Sequence, residues 1–338
     1  MADAPLTPRV DRTPQANPLL GYVLVWSAVL MWSLNGTVAK VVLESGGLSA
    51  FRLSEIRATG SAALLFAIVL ATGGRGLRIE RRELGFLVAF GVCGLAFVQF
   101  FYFEAIQRLN IGIALVIQYI SPVIVALWAR FFEHEPVRRR LWFALALALG
   151  GLSLVVDLWG GVTLDGAGIA ACLAGAFAYA AYIIMADHSL RRGRDTVSLL
   201  AWGFLFAAVF WAIVQPWWSF PAERVSGSAS LLGRLQDVEL PVWLLVAYVI
   251  VFGTVVPFIL IVTALRHLSA TQAIISAMLE PVLAAVIAYA WLGEELSTAQ
   301  IVGAVLVLAG ICVAQTARER ARAPAPGRVG LRALEEQP

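Results

Sequence analysis

The chain has 338 residues and a formal net charge of +3, with 60% hydrophobic and only 14% charged residues. Its mean hydropathy is +0.82. A water-soluble protein of this length needs a far more polar surface, so the composition excludes soluble enzymes and soluble binding domains and points to an all-α integral membrane protein.

In chain order, residues 1–18 are polar and rich in proline and read as a disordered tail. They contain no apolar core of the signal-peptide kind ahead of the first long span. Ten apolar spans follow, over 19–42, 51–72, 84–106, 110–132, 139–157, 166–186, 198–218, 240–265, 270–292 and 297–316. The longest loop, 219–239, is preceded by Trp217 and Trp218 and begins near Phe220, an aromatic group suited to a membrane interface. Residues 317–338 form an arginine-rich, proline-broken tail. Cys93, Cys172 and Cys312 all fall in apolar runs without metal-ligand spacing, and read as small buried hydrophobes. No cofactor, metal or nucleic-acid partner is expected.

The basic residues alternate between loops. Arg75, Arg78, Arg81 and Arg82, then Arg138 to Arg140, then Arg191, Arg192 and Arg194, then Arg266 and the C-terminal tail share one side. The positive-inside rule makes that side cytoplasmic and places both termini there.

A shift of 159 residues, as from Pro122 to Pro281, lays 105–151 on 264–310 without a gap. Ala105/Ala264, Leu109/Leu268, Val123/Val282, Glu135/Glu294 and Gly151/Gly310 match, and Gly94/Gly253 extends the register. Residues 19–158 and 166–316 are therefore two repeats of five spans each. Five is odd, so the second repeat enters the membrane inverted. The turn 107–110 then lies outside and its copy 266–269 inside. Pro122 and Pro281 fall in mid-span, where each removes a backbone donor and marks a hinge or helix break. Broken helices at matching points of inverted repeats mark a transporter's binding site near the midplane.

With these features in hand, the sequence resembles the drug/metabolite transporter superfamily, EamA type. The resemblance is carried by Leu30-Met31-Trp32-Ser33, Ala105-Ile106-Gln107-Arg108-Leu109, Ala264-Leu265-Arg266-His267-Leu268-Ser269-Ala270, Leu279-Glu280-Pro281-Val282, and Leu292-Gly293-Glu294-Glu295-Leu296 with Gln300, Gly303 and Gly310. It implies ten transmembrane helices in two inverted five-helix repeats around a central cavity, in a bacterial-type inner membrane. Trp32-Ser33, Tyr119 ahead of Pro122, and the run from Gly175 to Tyr182 are most similar to YddG-type exporters of aromatic and other amino acids. Ser121 and Tyr179 stand where that group suggests tryptophans, and Glu280 where it suggests a small polar residue, which favours a broader range of amino acids.

Glu280 lies near the centre of its span, where an ionised carboxylate costs roughly 2.5–3.5 kcal/mol on insertion scales, so it should face the protein interior. Gln272, Ser276 and Glu280, spaced by four, predict one polar helical stripe. Such an acid could meet a substrate amine or carry a proton, or it could satisfy backbone groups loosened by Pro281. Arg57 is the second intramembrane charge; it could attract a carboxylate, but is rather expected to pair with Glu55 or Glu104 or to reach for the interface. Trp32, Asn35, Gln99, Phe100, Tyr102, Tyr119, Ser121, Tyr179 and Tyr182 complete the candidate substrate-binding set with Ser276 and Glu280. Tyrosine and tryptophan combine an apolar face with a polar handle, though ordinary packing accounts for aromatics as well. Spans 5 and 10, rich in Ala, Leu, Val and Gly, read as peripheral packing elements.

These readings favour a secondary transporter exporting amino acids or related small metabolites by alternating access. The alternative is a multidrug or organic-cation exporter of the same superfamily. A membrane-embedded enzyme is remote, because His134, His188 and His267 sit at loops or span ends and no catalytic motif is present. A non-transporting scaffold would not need the paired prolines. The partners are a small-molecule solute and the lipid bilayer, and the reading leaves open whether the chain acts as a monomer or an oligomer.

Overall fold

The computed structural model describes residues 17–73, 77–106, 108, 117–134, 139–155, 165–293 and 297–316. Most of both predicted tails, Gln107, Leu109 and Asn110, Glu135, Glu294 and Asp157 lie outside the described residues.

Polar residues start the helices and apolar runs extend them. Asn17 accepts a hydrogen bond from the Leu20 amide at 3.2 Å, and Pro18 occupies the first turn, so α1 (Pro18–Glu44) begins inside the stretch expected to be a disordered tail. Ser49 caps α2 (Ala50–Ala71), Asp165 caps α7 (Gly166–Arg191), Asp195 caps α8 (Thr196–Val214) and Ser269 caps α12 (Ala270–Ala277), each through its side-chain oxygen. Between these lie α3 (Arg81–Ala89), α4 (Phe97–Ile106), α5 (Ser121–Phe131) and α6 (Arg139–Val155). After α8 come the short α9 (Ala222–Val225), α10 (Val242–Ile250) and α11 (Val256–Ala264); α13 (Glu280–Ile287) and α14 (Thr298–Thr316) follow α12.

Among the described residues, seven helical stretches are long and apolar enough to cross a membrane, including Pro18–Glu44, Gly166–Arg191 and Val242–Ala264. Ser121–Phe131 and Thr298–Ala314 are shorter apolar helices, and α6 has 17 residues. The fourth predicted span, 110–132, is described from residue 117, and α5 starts only at Ser121, after a turn at Tyr119 and Ile120. Phe131, Phe132, Phe143, Phe177 and Ile213 are exposed, an apolar exterior that suits lipid. Cys93 and Cys312 are exposed on it too, so of the three cysteines only Cys172 is the buried hydrophobe expected.

One departure from an all-α chain lies in the long loop. β1 (Ser228–Ser230) pairs antiparallel with β2 (Glu239–Pro241), with Ala229 opposite Leu240. Ala229 and Leu231 pack with Val38, Val41 and Val42 at the end of α1. The Ser230 amide donates to Ser45 Oγ at 2.8 Å, and Trp291 Nε1 to the Leu231 carbonyl at 2.8 Å. Burial of these side chains makes so short a hairpin stable, since a two-stranded ribbon alone is marginal. Nearby, Trp218 is 89% exposed and Trp217 packs beside Phe220 at 5.1 Å.

Element boundaries recur at the spacing of the sequence repeat. π-Helical segments at Phe90–Ala96 and Val251–Val255 join α3 to α4 and α10 to α11, and contain Gly94 and Gly253. α5 begins at Ser121 and α13 at Glu280; α6 begins at Arg139 and α14 at Thr298. α6 and α14 pack against each other with glycines at the contact. A Cβ on Gly151 would lie 2.6 Å from the Gly303 carbonyl, one on Gly303 2.5 Å from the Gly151 carbonyl, and one on Gly310 2.8 Å from the Ala144 carbonyl. Partners rise along one helix as they fall along the other, so the two run antiparallel. Their small residues serve this intramolecular contact.

Candidate functional site

Both central helix breaks precede the prolines. α12 ends at Ala277, Met278 and Leu279 form a turn, and α13 starts at Glu280 with Pro281 in its first turn. In the other repeat Tyr119 and Ile120 form the turn, and Pro122 sits in the first turn of α5. There a missing N–H costs no helical hydrogen bond. The break also cuts the predicted stripe. Gln272 is used in the capping box with Ser269, and Ser276 is buried on the far side of the turn from Glu280.

The two breaks meet. Tyr119 donates through its hydroxyl to Glu280 Oε2 at 2.7 Å. The same hydroxyl lies 3.5 Å from the Ala277 carbonyl, at the end of α12, where the last carbonyls have no helical donor. From α1, the Ser33 hydroxyl lies within hydrogen-bonding distance of two carbonyls, Val29 at 2.8 Å and Glu280 at 3.0 Å. α1 therefore packs against the break itself.

A cavity of about 470 Å³ opens beside this contact. Of the predicted residues it is lined by Trp32, Asn35, Gln99, Tyr102, Tyr119, Tyr179, Tyr182 and Glu280, with Pro281. Their rings form one wall: Tyr179 stacks on Tyr182 with centroids 6.1 Å apart, and Phe258 stands edge-on to Trp32 at 5.4 Å and to Tyr182 at 5.5 Å. The side-chain carbonyl oxygens of Asn35 and Gln99 and the Tyr182 hydroxyl are buried without a protein hydrogen-bond partner among the described residues. Such groups call for water or a polar solute.

Three predicted residues are not part of this lining. Phe100 packs in an aromatic cluster with Phe51, Phe101 and Trp211. Ser121 is buried at the start of α5, where its hydroxyl has no partner among the described residues. Ser276 is buried in the shell behind the break. Pro122 likewise lies off the cavity, so the two helix breaks do not contribute equally.

Arg57 departs from expectation. Glu55 accepts from Arg52 Nη1 at 2.6 Å, and Glu104 accepts from Arg108 Nε at 2.8 Å. This hydrogen bond, with the charge of Glu104, raises the Arg108 pKa above its ordinary value. Arg57 pairs with neither acid and lines the cavity. Residues 52 and 55 share a helical face, whereas 57, two positions on, points elsewhere.

The cavity runs along α1 from Trp32 through Gly36 and Lys40 to Leu43 and Glu44, about 18 Å of helix rise. The spacing of these residues from Trp32 marks one face, a signal that could have identified Lys40 and Leu43 from the sequence. The N-terminal half of α1 is sealed. A Cβ on Gly21 would lie 2.6 Å from the Leu268 side chain, and the Asn17 amide donates to His267 Nδ1 at 3.2 Å. Among the described residues the cavity therefore extends from Glu280 to the end of α1 away from this close packing.

Comparison with known proteins accords with this architecture. A model of the EamA-like transporter family matches residues 19–157 and 166–316. An uncharacterized inner membrane transporter, YicL, of Salmonella typhimurium is 24% identical over 308 residues, covering 90% of this chain and 98% of its own. An uncharacterized transporter of Archaeoglobus fulgidus is 27% identical over 293 residues, covering 86% and 94%. YwfM of Bacillus subtilis, also an uncharacterized transporter, is 24% identical over 303 residues, covering 88% and 93%. A solved crystal structure with 20% sequence identity superposes with a TM-score of 0.70, over 88% of this chain and 96% of that one, and shares the fold.

Proposed function

The chain belongs to the EamA-like transporter family, and from that premise we propose that it exports amino acids, aromatic and other neutral ones, by alternating access. The observation that carries this is the aromatic cavity that runs along α1 to Glu280, where Tyr119 donates to the acid from the other helix break. A small solute with an apolar body and a charged amine fits aromatic walls and an acid at the end.

Ten helices in two inverted repeats supply the mechanism. The antiparallel α6 and α14 support this, since their contacts exchange under the repeat: Gly151 with Gly303 becomes Gly310 with Ala144. Exchange of conformation between the repeats opens the sealed side at Gly21 and Leu268 and closes the other. With both termini in the cytoplasm, the open end faces outward.

A second reading, export of organic cations, draws on the same acid among aromatic rings, a setting that attracts cations. Purified protein in liposomes separates the two. Labelled threonine, methionine and phenylalanine should equilibrate across the bilayer faster than in protein-free liposomes. Flux of a quaternary ammonium with none of these amino acids would overturn the amino-acid reading.

A further inference from the structure

An arginine inside a membrane protein ordinarily pairs with an acid, binds backbone carbonyls or reaches the interface. Arg57 has neither an acid nor a carbonyl partner among the described residues. Glu55 and Glu104, the partners expected for it, are taken by Arg52 and Arg108. Its Nε is buried without a hydrogen-bond partner, and it lines the central cavity. It lies two turns into α2, whose start is joined by a tight turn to the end of α1 at the cavity mouth. Glu280 is held at Ser33, about three turns below that end. The free guanidinium therefore stands nearer the end of α1 than the acid does, along the same cavity, and no ion pair joins the two.

The neighbouring polar groups point the same way. Asn35 and Gln99, more than nine-tenths buried, line the same cavity with side-chain carbonyl oxygens that have no hydrogen-bond partner among the described residues, that of Asn35 lying against Gly253. One unpaired forked cation and two unpaired acceptors match a solute that carries an anionic oxygen pair together with N–H donors.

We propose that Arg57 binds the carboxylate of the transported solute between the cavity mouth and Glu280, so that the substrates are carboxylate-bearing solutes and not simple organic cations. This rests on the transport reading above and names the group that selects within it. A planar guanidinium holds a carboxylate through two parallel hydrogen bonds, and an ammonium cannot reproduce that geometry.

The test compares ligands that differ only in the carboxylate. Thermal stabilisation of the full-length purified protein is measured with phenylalanine, phenylalaninamide, phenethylamine, succinate and succinamide. Acids should raise the melting temperature and their amides and amines should not, and Arg57→Gln should remove the difference. In liposomes, Arg57→Gln should raise KM for a transported acid about 10- to 100-fold with turnover little changed. Arg57→Lys should recover part of that loss.

Equal stabilisation by acids and amides would overturn the assignment, as would an Arg57→Gln variant that binds acids as the native chain does. Should Arg57→Gln not fold, the acid–amide comparison on the native chain and Arg57→Lys decide it. Stabilisation by succinate alone, dependent on Arg57, would uphold the assignment while removing the amino-acid reading. Amino-acid flux indifferent to Arg57 would do the reverse.

Discussion

The hydrogen bond from Tyr119 to Glu280 joins the two helix breaks, and its strength depends on the charge of the acid. Tyr119→Phe removes only the donor. A hydrogen bond to a charged group contributes about 1.5–3 kcal/mol and one between neutral groups about 0.5–1.5 kcal/mol. The loss of stability in denaturant titrations of the variant therefore reports whether Glu280 is ionised at a given pH, with the larger loss expected where it is. If the acid carries the coupled proton, Glu280→Gln should keep exchange flux and abolish acceleration by a pH gradient in liposomes. Retained acceleration would remove Glu280 from proton coupling. Glu280 itself was legible in the sequence, because an acid at membrane depth is costly enough to require a protein environment. Its partner was not, because Tyr119 lies 161 residues away and only packing of the two turns brings the groups together.

At the scale of elements, the α6–α14 pair depends on close approach of two backbones. Gly151→Leu would drive a side chain into the Gly303 carbonyl and the Val307 amide. Overpacking of this kind costs about 1–3 kcal/mol, so the melting temperature should fall. Gly150 is the control: nothing lies within 4 Å of an added Cβ, and Gly150→Ala should be neutral or stabilising by up to about 1 kcal/mol through helix propensity. A fall with both variants would mean that the loss reflects the helix and not the contact. The glycines of this pair were visible in the sequence as matched positions, but their use was not. The π-helical segments at Phe90–Ala96 and Val251–Val255 had no sequence signal beyond Gly94 and Gly253. They are set by packing: a Cβ on Gly253 would overlap the Asn35 side chain, so α1 and this segment are fitted to each other.

For the whole molecule, the proposed orientation places the Ser226–Pro241 hairpin region outside and the α7–α8 turn in the cytoplasm. Trp218 and Arg192 are exposed at these two ends. With Cys93, Cys172 and Cys312 replaced by alanine, Trp218→Cys should react with a membrane-impermeant maleimide in intact cells, and Arg192→Cys only after permeabilisation. The opposite pattern would invert the topology and make the cavity inward-facing. The amino-acid sequence by itself determined the solvent, the helical class and the register of the repeat. Each follows from local properties: an apolar run must span lipid with its backbone bonded internally, and a proline or glycine acts where it stands in the chain. Only the tertiary structure decided which polar groups share the cavity. Glu55 was as near Arg57 in sequence as any acid, yet helix geometry turned it toward Arg52, while Phe100, Ser121 and Ser276 were withdrawn from the cavity by packing around the breaks. Side-chain direction depends on where each helix sits against its neighbours, and that is a property of the assembled core.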